Sequence, residues 1–130
     1  MTKSEQMSRV RSRDTKPELL VRRSLSRLGV RYRLHRRDLP GKPDVYVGRL
    51  KLAVFVNGCF WHGHDCPRGK RPSSNTGFWN TKIDRNRQRD GEILRALSER
   101  GIESVTIWQC AMRECDVVTA QIAQQYRETV

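Results

Sequence analysis

Apolar positions recur along this chain at two different periods, and the changes between them mark out its elements. Thr15-Lys16-Pro17-Glu18 has the form of a capping box with proline in the first turn, so a helix starts there. Val21, Leu25 and Leu28 follow at i, i+4 and i+7 until Gly29 ends it. The period then shortens. Val30, Tyr32 and Leu34 alternate with Arg31, Arg33 and His35, which predicts a half-buried strand with one basic face. Leu39-Pro40-Gly41-Lys42-Pro43 turns the chain into Asp44-Val45-Tyr46-Val47, and Gly48-Arg49 turns it again into Leu50 to Val56. The heart of that last segment, Leu52-Ala53-Val54-Phe55-Val56, is apolar on both faces, as a central strand is.

Beyond it, Pro67 to Gly77 reads as a long basic loop, and Asn80 to Arg100 as a charged helix turning Ile83, Ile93, Leu94 and Leu97 inward. Gly101 stops that helix, Ile102 to Trp108 forms another strand, and Val117 to Glu128 closes the chain as a helix with Val118, Ile122 and Tyr126 on one face. The order α-β-β-β-α-β-α, with a hairpin followed by a helical crossover, implies an α/β fold with a mixed central sheet flanked by helices. Residues 1–16 are polar and basic, with Met7 and Val10 isolated among them. They read as an arm, leaving 17–130 as one domain.

Charge sharpens this picture. With 26 Lys+Arg against 14 Asp+Glu the formal charge is +12, so an anionic polymer, nucleic acid above all, is the expected partner. A membrane surface fits less well, because the arginines do not form the polar face of one strongly apolar helix. Nothing near the start reads as a signal peptide and no apolar run approaches spanning length, which predicts a cytoplasmic protein. In a reducing compartment, the four cysteines point to metal more than to disulfides.

The chemistry concentrates in Asn57-Gly58-Cys59-Phe60-Trp61-His62-Gly63-His64-Asp65-Cys66. Thiols and imidazoles at this density suit Zn²⁺ better than Mg²⁺. Cys59, His64 and Cys66 supply three ligands, and Cys110 could complete a closed structural Cys₃His site, the alternative being that Cys59 or Cys110 is a small buried hydrophobe. Cys115 lacks a partner and reads as an ordinary thiol. Asp44 could hold Mg²⁺ for phosphodiester cleavage or simply serve a turn, and His62 could be a base, a spare ligand or a packed ring. Glu18 is most economically a capping residue. Phe60, Trp61 and Trp79 suit stacking or wedging between bases, while Phe78 and Phe55 read as core. Arg85 and Arg87, with Arg89, are candidate phosphate contacts on a face that would also be stable merely solvated.

Taken together, Arg13-Asp14-Thr15 with Glu18, Leu39-Pro40-Gly41-Lys42-Pro43-Asp44, Gly58-Cys59-Phe60-Trp61-His62, His64-x-Cys66, Phe78-Trp79 and Trp108-x-Cys110 resemble the very short patch repair DNA mismatch endonucleases over nearly the whole chain. The resemblance implies a restriction-endonuclease-like fold of the PD-(D/E)XK type, without the usual downstream E-x-K, which would fall around Phe55 to Asn57. It implies Mg²⁺-dependent nicking of double-stranded DNA beside a T·G mismatch left by deamination of 5-methylcytosine. Asp44 would ligate Mg²⁺ together with the backbone carbonyl of Val56, His62 would act on the attacking water, and Glu18 would support the site. Cys59, His64, Cys66 and Cys110 would bind Zn²⁺. Phe60, Trp61 and Trp79 would enter from the major groove and Met7 from the minor groove.

Such a substrate points to a functional link with a cytosine-5 methyltransferase and mismatch-repair factors, and to a nucleoid-associated protein acting as a monomer. The family usually carries Thr-His where this chain has Val56-Asn57. A carbonyl contact survives the first change, but Asn57 cannot titrate where histidine stood. The rival expectation is therefore a zinc-stabilised DNA-binding protein with weak or no cleavage.

Overall fold

The computed structural model describes residues 15–59, 62 and 64–129, apart from the side chain of Arg68. Helix α1 (Lys16–Arg27) starts where the capping pattern puts it: the Thr15 hydroxyl accepts the Glu18 N–H at 3.4 Å. Strands β1 (Arg33–Leu34), β2 (Val45–Val47) and β3 (Leu52–Asn57) follow. Helix α2 (Thr76–Glu99), strand β4 (Glu103–Trp108) and helix α3 (Cys115–Glu128) complete the order expected from the pattern. Short 3₁₀ turns at Gly48–Leu50, Pro67–Gly69 and Gln109–Glu114 join the elements.

The four strands lie in chain order. β1 and β2, and β2 and β3, are antiparallel, whereas β3 and β4 are parallel, with Leu52 opposite Glu103 and Asn57 opposite Trp108. The sheet is thus mixed, and helices cover both faces. Val45, Val47 and Val54 pack with Val21 and Leu25 of α1 and with Ile122 and Tyr126 of α3. Alternation along the strands sends Ala53 and Phe55 to the opposite face, against Leu97 and Ile93 of α2. Between α1 and α3 the Ser24 and Thr119 hydroxyls meet at 2.6 Å, which pairs two polar groups inside the core.

Three expectations are corrected. The strand expected over Val30 to Leu34 is only Arg33–Leu34: Val30 drops into the core, and the Tyr32 hydroxyl is held by Ser26 at 2.8 Å. At His35, with φ 48°, the backbone leaves the extended region. Helix α2 begins at Thr76, ahead of Asn80, so Gly77 and Phe78 are helical. Ile83 and Leu97 are fully buried, but Leu94, expected inside, is 41% exposed.

For the site, the useful consequence is where the strands end. Asp44 immediately precedes β2, which runs antiparallel to β3, so it sits beside the end of β3. β3 and β4 finish together, and the segments that leave them carry Cys59 and Cys110.

Candidate functional site

Two clusters of ligand-type side chains form at this end of the sheet. In the first, one donor atom each from Cys59, His64, Cys66 and Cys110 lies within 4.8 Å of the others. The loop is folded for this by its own backbone: His64 N–H donates to the Cys59 carbonyl at 3.0 Å, Cys66 N–H to that of His64 at 2.9 Å, and Gly69 N–H to that of Cys66 at 2.9 Å. Gly69 is compulsory there, because a β-carbon would fall 1.9 Å from the His64 carbonyl oxygen. His64 stacks on Trp108 with ring centroids 4.0 Å apart, and its Nδ1 is 3.4 Å from Cys110 Sγ.

Burial, with the crowding of its neighbours, pushes the Cys59 thiol upward. Burial acts the same way on Cys66, but hydrogen bonds from His64, the Gly69 N–H and the neighbouring thiols outweigh it and bring that thiol down. Three sulfurs and one imidazole sharing protons so closely fit a tetrahedral Zn²⁺, which would hold all three as thiolates. Cys115 stands apart, buried in the core at the start of α3.

The second cluster lines a cavity of about 690 Å³ that reaches from Glu18 and Asp44 across Asn57 to His62 and Asp90. Asp44 Oδ2 accepts the Val56 N–H at 2.7 Å. Burial raises the Asp44 carboxyl to about 6; the Val56 N–H opposes this, the Glu18 charge adds to it, and Arg22 and His62 lower it. In an extended strand the N–H and C=O of one residue point to the same side, so the Val56 carbonyl faces Asp44 too. Two carboxylates and a carbonyl converging on a partly dry cavity are a donor set for a hard divalent cation. The residues present therefore fit Mg²⁺.

Across the cavity, His62 Nδ1 and Asp90 Oδ2 are 2.5 Å apart, which fixes the ring with Nε2 as the remaining nitrogen. The edge of Trp108 supports the same ring, with centroids at 6.1 Å. His62 lines the cavity and lies outside the group formed by Cys59, His64, Cys66 and Cys110. Asn57, at the end of β3, lines the same cavity.

Sequence reasoning missed several participants. Asp90 lay unremarked among the charges of α2. His35, assigned to a basic strand face, comes instead within 4.8 Å of Glu18 and Asp44, and Arg22 joins it. Glu18 does more than mark a helix start: its side chain is 3% exposed and its carboxylate meets Arg22 at 3.1 Å. Arg89 lines the cavity, whereas Arg85 and Arg87 do not: at about 100° per residue they flank, one on each side, the face of α2 that Asn86, Asp90 and Ile93 turn toward it.

The ring assignments reverse: Trp79 is 3% exposed and Phe78 is 56% exposed, so Phe78 is the ring offered to solvent. Phe60, Trp61 and Met7 lie outside the described residues, as does nearly all of the arm.

Comparison with known proteins bears on this geometry. A family model described as DNA mismatch endonuclease Vsr matches residues 1–68. The chain is 43% identical over 116 residues to the Type II nicking enzyme V.XorIIP of Xanthomonas oryzae pv. oryzae, spanning 89% of this chain and 85% of that protein. It is 38% identical over 122 residues to the Type II nicking enzyme V.NmeAIP of Neisseria meningitidis, spanning 94% and 87%. With the DNA mismatch endonuclease Vsr of Escherichia coli K12 it shares 36% identity over 118 residues, spanning 91% and 76%. No helix among the described residues is long and apolar enough to cross a membrane.

Proposed function

Because this chain belongs to the Vsr family of DNA mismatch endonucleases, we propose that it nicks one strand of duplex DNA beside a T·G mismatch left by deamination of 5-methylcytosine. The observation that carries this reading is the cavity with Asp44 and Glu18 on one wall and an imidazole held by Asp90 on the other. A restriction-endonuclease-like fold accommodates it. The usual E-x-K carboxylate has no counterpart at Phe55 to Asn57, and Glu18 reaches in from α1 to supply the second negative group.

Mg²⁺ bound at Asp44 and the Val56 carbonyl would polarise the scissile phosphate and stabilise the leaving oxygen. The chain does the rest. Asp90 accepts the Nδ1 proton of His62, leaving Nε2 basic toward the cavity, where it takes a proton from water as that water attacks phosphorus. Arg37, Lys42 and Arg89 on the cavity wall bring positive charge to the flanking phosphates. Phe60 and Trp61, between zinc ligands in sequence, are the rings assigned to the mismatch, with Met7 approaching from the other groove; a mispaired step costs less to open. The buried Trp79 supports Phe78 at a centroid distance of 5.0 Å.

Asn57 favours a second reading, a zinc-stabilised mismatch-binding protein that cleaves weakly or not at all, since an amide lines the cavity where the family carries histidine. Nicking of a T·G duplex, with the matched T·A duplex and magnesium-free buffer as controls, decides between them. One strand cut only with the mismatch and Mg²⁺ present is the result expected. Tight mismatch binding with no cut at any Mg²⁺ concentration would overturn the nuclease reading in favour of the second.

A further inference from the structure

One nitrogen of Arg22 holds a position that a metal ion could take. Its Nη2 lies 3.1 Å from Glu18 Oε2 and 2.9 Å from His35 Nε2, and those two acceptors are themselves 3.7 Å apart. With Asp44, the same residues form a group whose donor atoms all lie within 4.8 Å. Neighbouring ligands on a divalent ion stand about 3 Å apart for bonds of about 2.1 Å, so only a small closure would bring these atoms onto one centre. His35 is committed to this place by its backbone: φ is 48°, a region a side chain with a β-carbon seldom adopts, and its N–H donates to the Asp44 carbonyl at 3.4 Å. A guanidinium cannot lose its proton, so it acts there as a fixed cation between a carboxylate and a neutral imidazole lone pair.

We propose that Glu18, His35 and Asp44 form a mixed nitrogen and oxygen site for a divalent cation of the Mn²⁺ class, and that Arg22 occupies its Glu18 and His35 donors until the metal displaces it. The inference rests on the reading of this cavity as the catalytic metal centre and adds to it an imidazole ligand and an internal competitor. An imidazole favours Mn²⁺ and softer ions over Mg²⁺, so the side chain at position 35 tunes which cation the site prefers. Before metal binds, Arg22 keeps the two carboxylates from facing each other uncompensated. It also sets a threshold concentration below which the guanidinium stays in place.

The test uses the zinc-loaded chain without DNA. Mn²⁺ affinity is measured by electron paramagnetic resonance, and the ligand set by the ¹⁴N modulation of the bound ion. In wild type the modulation reports a coordinated ring nitrogen. His35→Gln should abolish it, weaken Mn²⁺ at least fivefold and change Mg²⁺ competition less than twofold. Arg22→Gln, which can still donate to Glu18, should tighten Mn²⁺ about tenfold, and that gain should shrink when His35→Gln is present.

A wild-type spectrum without ¹⁴N modulation, or modulation that survives His35→Gln, would overturn the ligand assignment. An equal gain from Arg22→Gln in both backgrounds would overturn the competition, because loss of charge alone would then explain it. The readout is independent of nicking: a chain that binds Mn²⁺ through His35 yet leaves mismatched DNA intact fails the nuclease reading and keeps this one.

Discussion

The two ligand clusters stand at the same end of the sheet and solve opposite problems. Cys59, His64, Cys66 and Cys110 make a soft set that offers all four tetrahedral positions, with Cys59 fully buried and the loop tied back by three backbone hydrogen bonds. Glu18, His35 and Asp44 make a mixed oxygen and nitrogen set, incomplete, on the wall of an open cavity, with a guanidinium between two of them. A closed site has nothing left to offer a substrate, so its free energy goes into holding the β3 and β4 exits together. An open one leaves coordination positions for phosphate and water, and burial destabilises the ionised Asp44 while it is unfilled. The proposed function thus assigns structure and reactivity to separate ions only a strand end apart.

Breaking the closed site should have the largest consequence. Cys110→Ser removes the ligand that clamps the β4 exit to the Cys59 loop. Zinc affinity in small modules is coupled to folding on the order of 10 kcal/mol. Elemental analysis should find about one zinc per wild-type chain and much less in the variant, with thermal unfolding at far lower temperature. Equal zinc in both would remove Cys110 from the ligand set. Cys115→Ser, in the core, should leave the zinc content unchanged.

Next comes the open site, where the same kind of change should spare the fold. Asp44→Asn keeps the shape of the side chain and removes its charge, so nicking should fall by about 10³-fold or more while T·G binding in magnesium-free buffer stays within a few-fold. The variant should also be more stable than wild type above pH 6. Below pH 3.8 Asp44 is protonated in both folded and unfolded chains; between there and about 6 the folded chain still holds a proton that the unfolded one has released. Stability therefore falls as pH rises through that window and the full cost persists above it, on the order of 3 kcal/mol. Denaturation midpoints for wild type and variant that run parallel from pH 4 to 8 would show that Asp44 is not strained by its surroundings.

Much of this contrast was legible in the sequence, for a physical reason. Three of the candidate zinc ligands fall within eight residues, where chain connectivity alone keeps them close, and the unbroken apolar run of β3 marks it as a central strand. The second cluster draws on α1, the turn after β1 and the entry to β2, so its members meet only once the sheet has formed. Asp44 was found as a candidate from its own residues, and Glu18 through a family pattern. His35, Arg22 and Asp90 were not, because nothing in their local sequence separates them from the many charged residues on the surface. The exchange between Phe78 and Trp79 has the same origin: both sit in the first turn of α2, and only the start of that helix at Thr76 decides which ring turns inward.

Asp90→Asn should have an intermediate effect. An amide can still meet His62 Nδ1 but does not stabilise the imidazolium that forms when Nε2 takes a proton. Nicking should drop about 10- to 100-fold with KM for the mismatched duplex nearly constant. A matching loss of affinity instead would mean that Asp90 holds the DNA-binding surface together and does not serve the base.

The smallest effects should come from the charges around the open cavity, and they should depend on the face of α2. Arg89 lines it, whereas the exposed Arg95, about 180° around the helix from the lining residue Asn86, projects the other way. Removing an arginine that neutralises one phosphate should reduce the slope of log affinity against log salt by about 0.9 and weaken matched and mismatched duplexes alike. Arg89→Gln should therefore flatten the salt dependence by about that amount, and Arg95→Gln should leave it unchanged. If Arg95→Gln flattens the slope as much as Arg89→Gln does, the duplex does not approach along the cavity wall. Asp44 and His62 would then be facing away from the phosphates that the whole reading requires them to meet.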